Sequence, residues 1–231
     1  FLGQTAWAAG AGLTLSTASS REKILGANDR IRLGVIGPGG RGRSVMRHFQ
    51  QFPEIEVAAL CEIYDEHLRQ AQEQAGGKAK EFSEYRALLD QTDIDAVLIG
   101  TPDHWHAPMA IEAAKAGKHV YVEKPLTHKV QETYDLLDIV RKSGITLQLG
   151  HQFRQTESYG SASELIRKNV LGPITMVQTN TNRNSPNGAW QYPIHEKASQ
   201  RTIDWELFLG NAPKVPFNKD HFFRWRKYWA Y

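Results

Sequence analysis

In the stretch LGVIGPGGRG, residues 33–42, four glycines stand close together at positions 37–42, directly after an apolar run. Gly37, Gly39 and Gly42 form the pattern G-x-G-x-x-G, and Gly40 lies inside it. Where this pattern joins a strand to a helix, bare backbone amides and the positive helix end can hold a pyrophosphate. A purely structural turn is the alternative, because glycine-rich turns are common.

A carboxylate stands at a second position that dinucleotide binding requires. Glu62 lies twenty residues beyond Gly42, at the end of an apolar run that reads as a strand. There it could accept hydrogen bonds from the adenine-side ribose, and the two features together favour dinucleotide binding over a structural turn. A carboxylate would repel the additional phosphate of NADP, so we predict NAD. NADP stays possible because Arg41 and Arg43 are close in sequence.

The third candidate group is Lys124, which follows a further apolar run in the triplet EKP, residues 123–125. Ligands bind at the carboxyl ends of strands in open α/β sheets. Oxidation of an alcohol by NAD needs a base for the hydroxyl proton, and a lysine amine can be that base. A solvated lysine at a strand end is the alternative. We predict that Lys124 handles the proton.

The elements that must position these groups are indicated by short apolar runs that alternate with amphipathic segments, a pattern typical of a parallel sheet wrapped by helices. We predict a doubly wound α/β domain over residues 29–150. Its strands are expected at 31–37, 55–62, 80–82, 95–101, 119–125 and 146–150. Its helices are expected at 41–52, 65–75, 83–90 and 129–142, with another that has Pro108 in its first turn and ends at Gly117.

Three motifs in this order resemble the Gfo/Idh/MocA oxidoreductases, named for glucose-fructose oxidoreductase and inositol dehydrogenase. They are the GVIGPGGRG loop, the segment TPDHWHAPMAIEAAKAGKHV and the EKP triplet, within about residues 31–154. The resemblance implies a Rossmann domain followed by an α/β domain with an open, mostly antiparallel sheet. It also implies NAD or NADP as hydride carrier, and sugars, inositols or related polyols as substrates.

The same resemblance assigns roles to individual residues. Lys124 would assist proton transfer and position the substrate, and its bond to Pro125 is often cis in relatives. His106 would lie near the nicotinamide half of the cofactor, although capping the following helix is an equal alternative for it. The remaining implied contacts are cofactor contacts by Thr101, Pro102, Glu123 and Pro125, and a place facing the substrate cleft for Arg154.

Composition excludes several other classes. The net charge is +3 and no block of five Lys or Arg occurs, so nucleic-acid binding is not indicated. Cys61 is the only cysteine, which excludes an intrachain disulfide and a cysteine-based zinc cluster, and we expect it in the core. His104 and His106 lack a third ligand at a supporting spacing, so no metal is expected.

The first twenty residues contain no charged side chain and end in small residues at Ser16 and Ala18. We interpret residues 1–28 as the remnant of an export signal of the twin-arginine type with a linker, which predicts a periplasmic or exported protein. The segment is too short and too weakly apolar to be a stable membrane anchor. A flexible N-terminus without a targeting role, and hence a cytoplasmic protein, is the alternative.

Beyond Gly150 the pattern changes, and we predict that residues 151–231 begin a second domain for substrate binding and oligomerisation. A helix is expected around 158–169 and a strand at 172–183, the first of the open sheet. Relatives continue beyond a position like Tyr231, with a second catalytic histidine, so we expect a fragment of a longer enzyme that forms homo-oligomers when complete.

Aromatic residues mix with polar ones in this part of the chain, at Trp190 and in HFFRWRKYW, residues 221–229. Such rings suit the faces of sugars, which makes Trp190 a candidate substrate contact, but a place in the core or an oligomer interface is the stronger expectation.

Three functions follow from these observations. The leading one is an NAD-dependent oxidoreductase of a sugar or polyol. A glycosidase that uses tightly held NAD for transient oxidation is the alternative within the superfamily, although such relatives tend to lack the EKP lysine. A non-catalytic cofactor-binding protein is the third.

Overall fold

Six parallel strands form one sheet in the order β3-β2-β1-β4-β5-β6 in the computed structural model, which describes residues 30–181 and 184–231. The strands are β1 (Ile31–Ile36), β2 (Ile55–Cys61), β3 (Lys80–Phe82), β4 (Ala96–Ile99), β5 (His119–Glu123) and β6 (Leu147–Gly150). The strand numbers fall from β3 to β1 and then rise from β4 to β6, so the direction of winding changes between β1 and β4. At this point, doubly wound sheets have a crevice that binds ligands. The predicted α/β fold and its six strands are confirmed, whereas the expected export segment, residues 1–28, lies outside the described residues.

Helices connect and follow these strands. They are α1 (Gly40–Phe49), α2 (Asp65–Gln74), α3 (Tyr85–Leu89), α4 (Asp103–Lys115), α5 (Val130–Ser143), α6 (Glu157–Arg167), α7 (Trp205–Leu209) and α8 (Lys219–Phe223). The prediction for Pro108 was wrong: α4 begins directly after Pro102, so Pro108 lies in the second turn. Gly117 follows the end of α4 with a φ of 72°, as expected of a residue that terminates a helix. None of these helices has the length and apolar character needed to span a bilayer.

The core lies on both faces of the sheet because successive strand residues point to opposite sides. Leu33, Val35 and Leu98 pack with α1 and α2 on one face. The other face contains Ile36 and Cys61 with residues of α3, α4 and α5. Cys61 is 3% exposed, and burial raises the pKa of its thiol, so it is the core residue that the sequence predicts.

The chain after Gly150 departs from the prediction. Residues 173–181 form no strand, and no strand follows β6 within the described residues, so the expected open sheet is not formed there. The alternation at 172–183 suggested a strand, but a strand also needs a neighbouring backbone to pair with. Helix α6 is present as predicted, although none of its residues is buried.

The last part of the chain packs against the sheet domain through aromatic side chains. The third hydrophobic cluster joins Tyr64, three residues after the end of β2, to residues 198–231. Backbone hydrogen bonds secure the contact: Asp204 donates to the Ile63 carbonyl at 2.9 Å, and Asp65 donates to the Thr202 carbonyl at 3.1 Å. The C-terminal segment thus lies beside the carboxyl end of β2.

Candidate functional site

The glycine turn after β1 is shaped by the fold at two of its positions. Gly37 has a φ of 74° and donates its N–H to the Cys61 carbonyl at 2.9 Å. A Cβ at Gly37 would lie 2.7 Å from Cγ2 of Thr101, and a Cβ at Gly42 would overlap the carbonyl oxygen of Gly37. Both positions therefore need glycine to bring α1 against the strands.

The other two glycines leave room for a ligand. Gly39 is the N-cap of α1 and Gly40 its first residue, and no side chain caps this end. A Cβ at Gly40 would have no protein atom within 4 Å, and a Cβ at Gly39 would only touch His67, at 3.5 Å. Protein packing does not require bare backbone here, whereas a pyrophosphate on the uncapped amides does. The turn therefore fits the dinucleotide that the sequence predicts.

Glu62 follows β2 directly and is 9% exposed. Its Oε1 accepts hydrogen bonds from the backbone N–H groups of Ile63, at 2.8 Å, and Tyr64, at 3.1 Å. Its Oε2 lies 3.8 Å from Nδ1 of His67 on α2. These contacts hold the carboxylate at the wall of the cavity described below, with one oxygen accepting no hydrogen bond from the described residues.

Arg41 and Glu123, two predicted cofactor residues, contact each other. Nε and Nη2 of Arg41 each lie 2.9 Å from Oε1 of Glu123, whose side chain is 5% exposed. The hydroxyl of Tyr121 donates to the same oxygen at 3.3 Å. Arg41 is thus directed to the end of β5, whereas Arg43 interacts electrostatically with Glu62.

His106 joins the turn after β4 to the turn after β5. Its Nδ1 lies 2.6 Å from the Pro125 carbonyl oxygen and its Nε2 lies 2.8 Å from the Thr101 carbonyl oxygen. Both oxygens only accept, so a ring nitrogen of His106 that carries a proton donates to the carbonyl oxygen beside it. The ring is 1% exposed and occupies the fourth position of α4, with Pro102 as the N-cap, so the structure does not place His106 as the cap.

Lys124 directly follows β5, and its bond to Pro125 is cis, as the resemblance implies. Its ammonium forms no hydrogen bond, and no ion pair within 4.0 Å, with any residue in the described ranges. Asp103, at the start of α4, is an electrostatic neighbour. The contact between His106 and the Pro125 carbonyl oxygen therefore fixes the turn that carries Lys124. The Lys124 ammonium stays available to a ligand.

These groups line one cavity of about 700 Å³, a volume typical of small-molecule sites. The predicted residues that line it are Gly37, Gly39, Gly40, Arg41, Glu62, Thr101, Pro102, His106, Glu123, Lys124 and Trp190. Gly42 and Pro125 do not line the cavity but contact residues that do: Gly42 packs against Gly37, and the Pro125 carbonyl oxygen lies beside His106. Arg154 is exposed and does not line this cavity, so the structure does not bring Arg154 to the site.

The C-terminal segment supplies a wall that sequence reasoning placed in the core instead. Phe222, Phe223, Trp225 and Arg226 line the cavity, although Phe222 also belongs to the hydrophobic cluster. The mixed aromatic and basic stretch was the available signal. His67 was missed as well, and its place in the first turn of the helix after Glu62 was its only signal.

His104 and Trp105 attach this wall to α4. Nε2 of His104 and Nε1 of Trp105 each lie 2.9 Å from the Phe208 carbonyl oxygen. Burial lowers the pKa of His104 to about 4, so the ring is neutral and donates from Nε2. The pair serves as an anchor between two segments.

Curated relatives share part of this chain. A glycosyl hydrolase family 109 protein from Shewanella pealeana is 36% identical over 158 residues, which are 63% of this chain and 34% of the relative. A second, glycosyl hydrolase family 109 protein 2 from Shewanella sp. strain ANA-3, is 39% identical over 118 residues, 48% of this chain and 26% of the relative. The chain thus spans about a third of the length of the curated relatives it matches.

Solved structures show the same fold. Scyllo-inositol dehydrogenase from Lactobacillus casei, with bound NAD(H) and scyllo-inositol, matches with a TM-score of 0.59 and 26% identity, over 63% of this chain and 43% of that one. A 3-ketoreductase from Actinomadura kijaniata, in complex with NADP, matches with a TM-score of 0.55 and 28% identity, over 61% of this chain and 43% of that one.

The family model for Gfo/Idh/MocA proteins, described as an oxidoreductase family with an NAD-binding Rossmann fold, matches residues 31–151. That range contains the glycine turn, Glu62 and the EKP triplet. The chain therefore belongs to the Gfo/Idh/MocA oxidoreductase family and contains its NAD-binding Rossmann domain.

Proposed function

We propose that this chain supplies the cofactor site and part of the substrate site of an NAD-dependent oxidoreductase that acts on a CH–OH group of a sugar, inositol or related polyol. The observation that supports this most directly is the place of Lys124. Its side chain lines the same cavity as the uncapped start of α1 and Glu62. A base and a dinucleotide site in one cavity are what alcohol oxidation requires.

When bound, NAD supplies the hydride acceptor. The amides at Gly39 and Gly40 hold the pyrophosphate, and Glu62 accepts hydrogen bonds from the adenine-side ribose. Lys124, in its neutral amine form, takes the proton of the substrate hydroxyl and becomes an ammonium, and His106 keeps the turn that carries Lys124 in place.

NAD is favoured over NADP on two grounds. The Glu62 carboxylate repels an additional phosphate at the ribose, and the ion pair with Glu123 keeps Arg41 away from it. Arg43, which interacts electrostatically with Glu62, is the cation through which NADP would bind if Glu62 were neutralised.

To test this, the protein is mixed with NAD or NADP and with each of a panel of pyranoses and inositols, and the near-UV absorbance of reduced nicotinamide is measured. The Lys124→Ala variant should lose about 10²–10⁴-fold in rate while its NAD affinity is retained, because proton transfer and cofactor binding use different groups. Lys115→Ala, which changes an exposed lysine at the end of α4, is the matched control. Equal rates in the parent protein and Lys124→Ala would contradict the role of Lys124.

A glycosidase that oxidises its substrate transiently with bound NAD is the second candidate, since the curated relatives reported above are glycosyl hydrolase family 109 proteins. Release of the phenol from aryl glycosides, without net formation of reduced nicotinamide, would decide for this candidate. Binding of NAD with neither reaction would instead indicate a non-catalytic cofactor-binding protein.

A further inference from the structure

The guanidinium of Arg226 lies over two indole rings and donates no hydrogen bond within the described residues. Its guanidinium carbon is 4.0 Å from the ring centroid of Trp225 and 5.2 Å from that of Trp190. The nearest acid is Asp103, whose Oδ1 lies 3.8 Å from Nη2, beyond hydrogen-bond distance. Within the described residues the guanidinium donates no hydrogen bond, so an immobilised, planar set of donors awaits an acceptor.

Asp103 presents the opposite chemistry. Its Oδ1 is buried and accepts no hydrogen bond from any residue in the described ranges. Burial raises the pKa of this carboxyl group, and the positive charge of Arg226 opposes that rise. A buried acceptor without a donor is costly, and a ligand hydroxyl would relieve the cost.

Both side chains line a second cavity of about 520 Å³. It shares Lys124, Trp190, Trp225 and Arg226 with the cofactor cavity, so the lysine head group borders both spaces. Cationic side chains outnumber acidic ones on its wall. The residues on its wall with an acidic, basic or imidazole side chain are Asp103, Lys124, His128, Arg226 and Lys227.

One of these cations is already paired, since Nζ of Lys227 lies 3.3 Å from Oδ2 of Asp220. Asp103 is the only acid among the described lining residues, and it faces Lys124 and Arg226. The balance favours a ligand with one negative charge. Trp190 adds a further sign of a built site, because its φ of 64° is a conformation that bulky residues adopt only when their surroundings enforce it.

We propose that this second cavity binds the carboxylate end of an acidic sugar, and the proposal rests on the oxidoreductase function proposed above. The guanidinium of Arg226 receives the carboxylate in bidentate fashion, and Oδ1 of Asp103 accepts a hydrogen bond from a neighbouring hydroxyl. The indoles of Trp190 and Trp225 cover the apolar face of the sugar. The substrate hydroxyl to be oxidised then lies towards Lys124, between the two cavities.

The experiment measures dissociation constants for D-glucuronate, D-glucose, glucose 6-phosphate and acetate at saturating NAD, by calorimetry and tryptophan fluorescence. Glucuronate should bind about tenfold or more tightly than glucose, and more tightly than acetate, which lacks hydroxyls. Arg226→Gln should remove the preference for glucuronate, and Arg226→Lys should retain part of it, because a lysine keeps the charge without the planar fork. Arg141→Gln, on the exposed face of α5, should change nothing.

A far-UV circular dichroism spectrum and a urea unfolding midpoint equal to those of the parent protein show that the Arg226 variants fold. Equal affinities for glucose and glucuronate, or a preference that survives Arg226→Gln, would overturn the proposal. Tighter binding of glucose 6-phosphate than of glucuronate would overturn the assignment of a carboxylate. The two proposals fail separately: glucuronate bound with preference but never oxidised contradicts the oxidoreductase, whereas oxidation of neutral sugars without preference for acids contradicts only the subsite.

Discussion

The sheet domain and the segment that follows it use apolar side chains in opposite ways. Within residues 31–150, Leu98 is fully buried between the sheet and its helices. Within α6 and the residues after it, Ile166 is 54% exposed and Met176 is 80% exposed. Both stretches contain regular apolar patterns, so pattern alone does not bury a side chain. A second surface has to be present for it to pack against.

The end of the chain also shows that burial depends on a surface to pack against. Residues 198–231 contain short helices only, yet Trp205, Phe208 and Phe222 are buried. They have Tyr64 and each other as partners. Contact with the sheet domain, rather than secondary structure, gives this segment its core.

The largest difference between the regions should appear in stability. Leu98→Ala should lower the free energy of unfolding by about 2–5 kcal/mol, because it removes buried methyl groups and leaves a cavity. Ile166→Ala, the matched change on α6, should alter the free energy of unfolding by less than about 0.5 kcal/mol. Urea denaturation followed by circular dichroism measures both. A similar loss in the two variants would show that α6 is buried in solution.

A smaller effect on stability, with a large effect on binding, is expected from an added methyl group. Gly42→Ala should lower the free energy of unfolding by about 1–3 kcal/mol, because its Cβ overlaps the Gly37 carbonyl oxygen and moves α1. The displaced turn should also abolish NAD binding in calorimetry. Gly160→Ala, where the Cβ meets open space in α6, should leave NAD binding intact and stabilise the helix by about 0.5–1 kcal/mol. Normal NAD affinity in Gly42→Ala would contradict this account of the turn.

The smallest effect concerns the C-terminal segment in acid. A hydrogen bond from the Tyr228 hydroxyl, at 2.6 Å, lowers the pKa of Asp220 to about 2, and Arg224 and Lys227 add to this. An unfolded aspartate titrates near pH ~4, so the stabilisation by Asp220 is complete above about pH 4 and is lost as the pH falls towards 2. Tryptophan fluorescence should report this loss in the parent protein. The Asp220→Asn variant should lack it, whereas Asp138→Asn, at an exposed position of α5, should behave like the parent.

Much of the sheet domain was predictable because buried parallel strands are continuous apolar runs and the glycine turn has a recognisable spacing. Glu62 and Lys124 were predictable for the same reason, since strand ends determine which side chains reach the crevice. The ion pair between Arg41 and Glu123 was not predictable, because 82 residues separate its members along the chain. The proximity of Arg226 to Asp103 was not predictable either, because these residues lie even further apart along the chain.

The prediction of a strand at 172–183 was wrong for a different physical reason. Alternation of polar and apolar residues predicts which face of a strand would be buried, but it does not provide the neighbouring strand. Residues 173–181 pair with no strand within the described residues, and they take no regular form. Local sequence thus gave the correct answer where an element pairs with predicted neighbours, and the wrong one where it needed a neighbour that could not be identified.

The anchor at α4 has a consequence for how such proteins can diversify. His104 and Trp105 both donate to the Phe208 carbonyl oxygen, and a side chain at Gly210 would occupy the space of the Trp105 ring. The bulky indole of Trp105 in the sheet domain is therefore matched to a position without a side chain, Gly210, in the C-terminal segment. Recombination between homologues, in nature or in the laboratory, therefore has to keep the Trp105 ring together with a glycine at position 210. Otherwise the contact between the two segments is lost.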